Sequence, residues 1–288
     1  MAGARSVLDG TLGGGGHAAA FAAAGMQVVA LDRDREALQA AGTRLAREIA
    51  SGQLRLVHAN YADVATHPDL ATLVVDAVLL DLGVSSHQLD DDARGFSFRT
   101  GAPLDMRMGD EAEDAATLLN HADQRTLAGW FRDYGDEPRA ARLASEIVRR
   151  RATVPFTTSD DLVKAIRGAL GPRTGPGDFA RLFQAMRIAV NDELAGLARA
   201  LPALRDRLAP GGVLCVITYH SGEDRLVKEC FRSWSTPCTC PPRAPFCTCG
   251  GVAPGSLVTR KPIVADADEV GRNPRARSAK LRAWRRAA

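Results

Sequence analysis

The chain has 288 residues, 45% of them hydrophobic and 25% charged, which is the composition of a folded globular protein with a sizeable core. The length allows one large domain or a domain carrying an insertion. The net charge of +3 excludes a strongly acidic or basic chain, the first residues lack the apolar core of a signal peptide, and no apolar run approaches the roughly 20 residues that span a bilayer. The expectation is a cytoplasmic protein with no membrane partner.

Taken in order, residues 1–88 alternate strand and helix signals. SVLD is a short buried strand, followed by the glycine run of GTLGGGGH and an alanine-rich helix that Gly25 ends. QVVALD is a second strand closing on Asp32, and REALQAAGTRLAREIA is an amphipathic helix with Leu38, Leu45 and Ile49 in its apolar stripe. LRLVHANYAD gives a third strand and VDAVLLDLG a fourth. Strands alternating with helices build a parallel, doubly wound sheet, so the fold class is α/β.

Over 89–190 the character changes. A loop-like stretch rich in Gly, Asp and Arg leads into helical segments such as QRTLAGWFRDYG, PRAARLASEIVRRRA and SDDLVKAIRGAL, which read as a helical insertion. Helix signals resume from residue 179, where Phe183, Met186, Val190, Leu194, Leu197 and Leu201 keep helical spacing over a segment that APGG terminates. Residues 191–288 return to the sheet, with VLCVITYH as a fifth strand and GEDRLVKECFRSW as a helix. The closing RNPRARSAKLRAWRRAA holds seven cations, no acid, and Trp284. It is either a solvated terminus or a contact for nucleic-acid phosphates, with Trp284 as a stacking group.

Cys215 reads as a buried strand thiol and Cys230 as a helix residue. The other four, Cys238, Cys240, Cys247 and Cys249, form two Cys-x-Cys pairs around a proline-rich turn. They are either four ligands of a structural zinc ion or simply thiols of a redox-labile loop.

A strand, a glycine-rich turn, a helix and a second strand ending in an acid form a nucleotide-cofactor arrangement in which Asp32 accepts from ribose hydroxyls. G-x-x-x-x-G-K-[ST] is absent, so a P-loop is not supported. Asp9 ends the first strand where a nicotinamide fingerprint would already begin its glycines, and an acid there suits the ammonium of a methionine-derived cofactor better than a pyrophosphate. The polar ends of the third and fourth strands agree with S-adenosylmethionine (SAM). A nicotinamide oxidoreductase remains the alternative enzyme class, separable by cofactor binding. A zinc-containing RNA-binding or assembly factor is the non-enzymatic alternative.

The blocks DGTLGGGGH, LLDLGVSSHQLDDDARGFSFRTGAPLDMRM, FQAMRIAVNDEL, LAPGGVLCVITYHSGEDRLVK and NPRARSAKLR resemble, in order and over nearly the whole chain, the RsmH (MraW) family of bacterial 16S rRNA cytosine-N4 methyltransferases. The resemblance implies a Rossmann-like class I SAM-dependent methyltransferase sheet with an inserted helical substrate domain. It implies methyl transfer to one cytidine of the decoding region, with 16S rRNA in the small ribosomal subunit as partner; between monomer and homodimer the sequence does not choose. Carried over by position, the cofactor contacts are Gly15, Gly16, His17, Asp32, Tyr61, Asp81 and Gln88. Family members carry a further segment before the first strand, so a late start or a truncation is expected here. Tyr219 and Gly222 replace the family's usual Phe and Leu; the Tyr219 hydroxyl is expected to be tolerated, and Gly222 to loosen the start of its helix.

Cytosine N4 is a poor nucleophile, so such an enzyme must align the amine and accept its proton. Asp81 is the first choice for the reaction-proximal acid, with cofactor binding alone as its other reading. Asp105 with Arg107 either orients base or phosphate or forms a structural pair. His220 and Ser221, after the fifth strand, are candidates for the RNA or the base, His220 also as a catalytic group. Glu223 and Asp224 suit a helix N-terminus. Asn191 either faces the site or is solvated. Arg149, Arg150 and Arg151 either line the RNA path or end a helix in solvent, and Arg275, Arg277, Lys280 and Arg282 are the candidate rRNA contacts of the tail.

Overall fold

Short apolar runs separated by polar turns set the order of the sheet. The computed structural model describes residues 3–288 apart from 111, 239, 241–245, 247 and 250. The described chain divides into two units, one of residues 1–83 with 194–288 and the other of residues 84–193.

The first unit is built on strands β1 (Ser6–Asp9), β2 (Gln27–Asp32), β3 (Leu54–His58), β4 (Val75–Asp81) and β5 (Leu208–Thr218), all parallel in the order β3-β2-β1-β4-β5. Val7, Leu8, Val78 and Leu80 are wholly buried, as expected of parallel strands covered on both faces. Between the first strands run helices α1 (Gly16–Ala23), α2 (Arg35–Arg44) and α3 (Ala46–Ala50). Ala18, Ala22 and Ala41 cover one face with Val7, Val28 and Ala77, while Leu197, Leu201 and Leu204 cover the other with Leu8, Leu80 and Leu214. Each parallel strand therefore delivers its carboxyl end to the same edge, where α/β sheets bind ligands.

The second unit holds α4 (Ser86–Asp90), α5 (Ala115–His121), α6 (Gln124–Asp133), α7 (Ala140–Arg151), α8 (Ser159–Leu170) and α9 (Pro176–Asn191). They pack around Leu119, Phe131, Ile147, Leu162, Leu182 and Met186. The helical segment through residue 201 is two helices: Asp192 takes a left-handed conformation (φ 51°) that caps α9, and α10 (Glu193–Asp206) starts after it. A short polar side chain tolerates that conformation where a β-branched one would not.

The larger difference lies at the C-terminus. After α11 (Ser221–Trp234) come β6 (Gly255–Leu257), β7 (Ile263–Val264), α12 (Ala267–Arg272) and β8 (Lys280–Arg286). Strand β8 lies antiparallel against β5, with β6 and β7 pairing on its other side. The second half of the basic segment, Lys280–Arg286, is therefore an interior strand, and Trp284 is wholly buried rather than available for stacking. No helix among the described residues is long and apolar enough to cross a membrane.

Candidate active site

The carboxyl ends of β1, β2 and β4 place Asp9, Asp32 and Asp81 around the loop of residues 10–15. The loop's course depends on two glycines. A Cβ on Gly10 would collide with the Leu80 side chain and press on Tyr61, and Gly15 has φ 72° with Leu45 packed against it. Gly14 and Gly16 are different: a Cβ on either would meet no atom within 4 Å, so protein packing does not explain them.

Asp32 accepts from Gly13 N at 2.8 Å through Oδ2 and from Asp34 N at 2.9 Å through Oδ1, so the acid that ends β2 also pins the loop. Burial raises its pKa against those backbone bonds. Tyr61 begins the single turn after β3, beside Gly10.

Asp81 is tied to β5's end, to the glycine loop's helix and to the loop itself. Its Oδ1 accepts from the Tyr219 hydroxyl at 2.9 Å, its Oδ2 lies 3.3 Å from His17 Nε2, and its backbone N–H donates to Thr11 Oγ1 at 2.6 Å. The Asp81 hydrogen bond raises the His17 pKa, with burial opposing it. Burial, then the Asp81 charge, pushes the Tyr219 phenol well above its ordinary range, so it stays a donor. Tyr219 was expected only to be tolerated, yet it anchors Asp81 directly.

Asp9 is the residue whose state carries most. Its side chain is fully buried, Oδ1 accepts from Thr11 N at 3.1 Å, and Oδ2 has no hydrogen-bond partner among the described residues. Burial pushes its pKa up to about 6. Its place at a strand end is visible in sequence, whereas the solitary oxygen and the role of Thr11 are not.

Beyond β5, Glu223 Oε2 accepts from the backbone N–H groups of Tyr219 and His220, which sets the first turn of α11. Gly222 therefore does not loosen that start; a Cβ there would crowd the His220 ring at 3.2 Å. His220 is nine-tenths buried, with Nε2 3.2 Å from Glu223 Oε1 but outside hydrogen-bond geometry. Tyr219, His220 and Ser221 share a cavity of about 160 Å³ with Arg277, Ser278 and Lys280.

The cations of the tail separate into two kinds. Arg275 and Arg277 are exposed. Arg282 is buried, and it grips Asp224 through Nε at 2.7 Å and Nη2 at 3.2 Å, with Lys280 Nζ 3.7 Å away. That pairing makes Arg282 a tie between β8 and α11 instead of an exposed rRNA contact.

Gln88, Asp105 and Arg107 belong to the other unit. Gln88 is buried, its Oε1 accepting from Ser85 N at 3.0 Å. Arg107 forks onto Asp105 at 2.9 and 2.8 Å. Burial would raise the Asp105 carboxyl, but Arg107 outweighs it and holds it below the usual range. Asn191 is not solvated: it is buried, donates to Met106 O at 2.7 Å and accepts from Met108 N at 2.9 Å. It thereby clamps a loop in which Met106 adopts φ 62°. Arg149 and Arg150 pair with Glu146, and Arg151 donates to the carbonyls of Leu119 and Ala122 that end α5. Of the four clustered cysteines, Cys247 lies outside the described residues.

Comparison with known proteins agrees over the whole chain. It is 61% identical over 288 residues to the ribosomal RNA small subunit methyltransferase H of Gemmatimonas aurantiaca, covering 100% of this chain and 91% of that one. The proteins of the same name from Pelobacter propionicus and Heliobacterium modesticaldum are 48% and 47% identical, each covering 96% of this chain and 90% of the relative. The sequence profile of the MraW methylase family matches residues 3–287, and with three acids of adjacent strand ends gathered on a glycine loop, the chain belongs to that family.

Proposed function

We propose that this protein transfers a methyl group from SAM to the N4 amine of a cytidine in 16S rRNA of the small ribosomal subunit. The observation that carries the reading is the convergence of Asp9, Asp32 and Asp81 on one loop in a chain of a methylase family. Relatives named as small-subunit rRNA methyltransferases support the substrate class, and the cytosine-N4 target rests on the resemblance of the family-specific blocks.

The residues present fit SAM. A buried carboxylate oxygen with no partner is costly, and a cationic ammonium is the group that would relieve it at Asp9. Asp32 would hold the ribose, Tyr61 the adenine side, and the open backbone of Gly14 and Gly16 the methionine end. When bound, SAM supplies an electrophilic methyl group on a sulfonium that leaves without acid assistance.

The chain's own task is orientation and proton acceptance. Tyr219 and His17 hold the two oxygens of Asp81 and Thr11 Oγ1 accepts from its backbone N–H, so its carboxylate is set before substrate arrives. Asp81 accepts the N4 proton, and His17 Nε2, 3.3 Å from Oδ2 and half-exposed, offers that proton a way to solvent. Arg277 and Lys280, in the cavity beside Ser221, contact an rRNA phosphate, with Arg275 adding charge outside it.

The test is methyl transfer from labelled SAM to small subunits lacking the modification, followed by nucleoside analysis. N4-methylcytidine at one site is the expected product. A protein that binds SAM yet methylates neither subunits nor their rRNA would overturn the reading.

A further inference from the structure

Four of the six cysteines lie in CTCPPRAPFCTC, which the methyl-transfer reading leaves unused. In the structure the Sγ atoms of Cys238, Cys240 and Cys249 lie within 4.8 Å of one another. The sulfurs of Cys238 and Cys249, eleven residues apart, are 3.7 Å from each other and not joined as a disulfide. Zinc–sulfur bonds of about 2.3 Å in a tetrahedron put neighbouring sulfurs about 3.8 Å apart. The observed separation is the edge of such a site.

Two further features favour ligation over chance proximity. Thr248 N–H donates to Cys240 Sγ at 3.4 Å, a bond that favours a thiolate over a thiol. The base of the excursion is closed as well, because Gly251 runs so close to the Pro237 carbonyl that a Cβ would collide with it. The two arms are thus held side by side, and Cys238 and Cys240 of one meet Cys249 of the other.

We propose that Cys238, Cys240 and Cys249 are ligands of one structural zinc ion. Soft thiolates in a tetrahedral set select zinc over magnesium or calcium. Three thiolates leave one corner, for which the second Cys-x-Cys pair offers Cys247 in the sequence, outside the described residues. Binding displaces the thiol protons and involves no redox step. The excursion joins α11 to β6, whose Leu257 pairs with Trp284 of β8, so the ion would fasten this edge of the sheet and is separate from the methyl-transfer chemistry.

The test uses the full chain without a histidine tag, purified in the absence of chelators. Metal analysis should find close to one zinc per chain, and Co²⁺ added to the stripped protein should give thiolate charge-transfer bands with the visible bands of tetrahedral cobalt. The double variant Cys238→Ser/Cys249→Ser should lose both signals. Should that variant fail to fold, the unaltered protein still decides: its clustered thiols should resist a thiol reagent until a strong chelator releases zinc in step with their reaction. Absence of zinc above the blank with no cobalt charge-transfer band would overturn the proposal, and so would a Cys238–Cys249 disulfide in protein kept under anaerobic, non-oxidising conditions.

Discussion

Replacing Asp9 by Asn separates what this residue costs the fold from what it does for the site. The carboxyl is fully buried with one oxygen unpartnered, and burial, reinforced by the charges of Asp81 and Asp32 but opposed by Thr11 and His17, lifts its pKa to about 6. From an ordinary value near 4, at about 1.4 kcal/mol per pH unit, ionised Asp9 costs the folded chain on the order of 3 kcal/mol. The folded-state pKa lies above the unfolded one. The penalty is therefore absent below about pH 4, grows as the pH rises towards 6, and is complete above that.

Asn keeps the oxygen that accepts from Thr11 N and cannot ionise. Asp9→Asn is expected to raise the melting temperature of the SAM-free protein at pH 8, with the gain shrinking to little at about pH 4.5. Its affinity for SAM should fall by 10- to 100-fold, roughly the 1.5–3 kcal/mol of a charge-assisted hydrogen bond. Thermal unfolding at the two pH values and calorimetric titration with SAM read the two effects. A variant that melts no higher than the parent at pH 8 would remove the buried penalty, and unchanged SAM affinity would remove Asp9 from the cofactor site.

Other outcomes follow from the same geometry. His17 should titrate above its ordinary value of about 6.5 because of the Asp81 hydrogen bond, so this contact stabilises the fold below that pH and is lost as the pH rises through the raised value; an NMR titration of Asp81→Asn should bring the midpoint down, and an unmoved midpoint would contradict the coupling. Tyr219→Phe removes the hydroxyl that anchors Asp81 and should cost methyl transfer up to about tenfold, roughly 1 kcal/mol, with little change in SAM affinity. Arg277→Ala should weaken small-subunit binding and flatten its salt dependence without shifting the melting temperature, whereas Arg282→Ala, which abandons Asp224, should destabilise by about 2–4 kcal/mol; the reverse pattern would exchange their roles. Asn191→Ala strips two backbone groups of their buried partner and should cost about 2–3 kcal/mol in denaturant unfolding.

The residues that sequence reading reached are those whose role is announced locally. The apolar runs VVAL of β2 and AVLL of β4 each stop at an acid, so Asp32 and Asp81 mark their own strand ends. Much of what sequence reading missed has its partner far along the chain. Lys280–Arg286 carries four cations in seven residues and reads as exposed, either to solvent or to nucleic-acid phosphates. Yet Arg282 and Trp284 alternate on the buried face of β8, the first neutralised by Asp224 58 residues away and the second packed among residues of both halves of the sheet unit. Tyr219 reaches Asp81 across 138 residues and Asn191 reaches Met106 across 85. No periodicity can register such pairings, because the countercharge or carbonyl that makes burial affordable lies outside any local window. A run of like charges is therefore weak grounds for solvation in an α/β protein whose last strand is antiparallel. Here the last strand of the chain lies between β5 and the pair β6 and β7, and every polar group it buries must find its partner on elements that precede it.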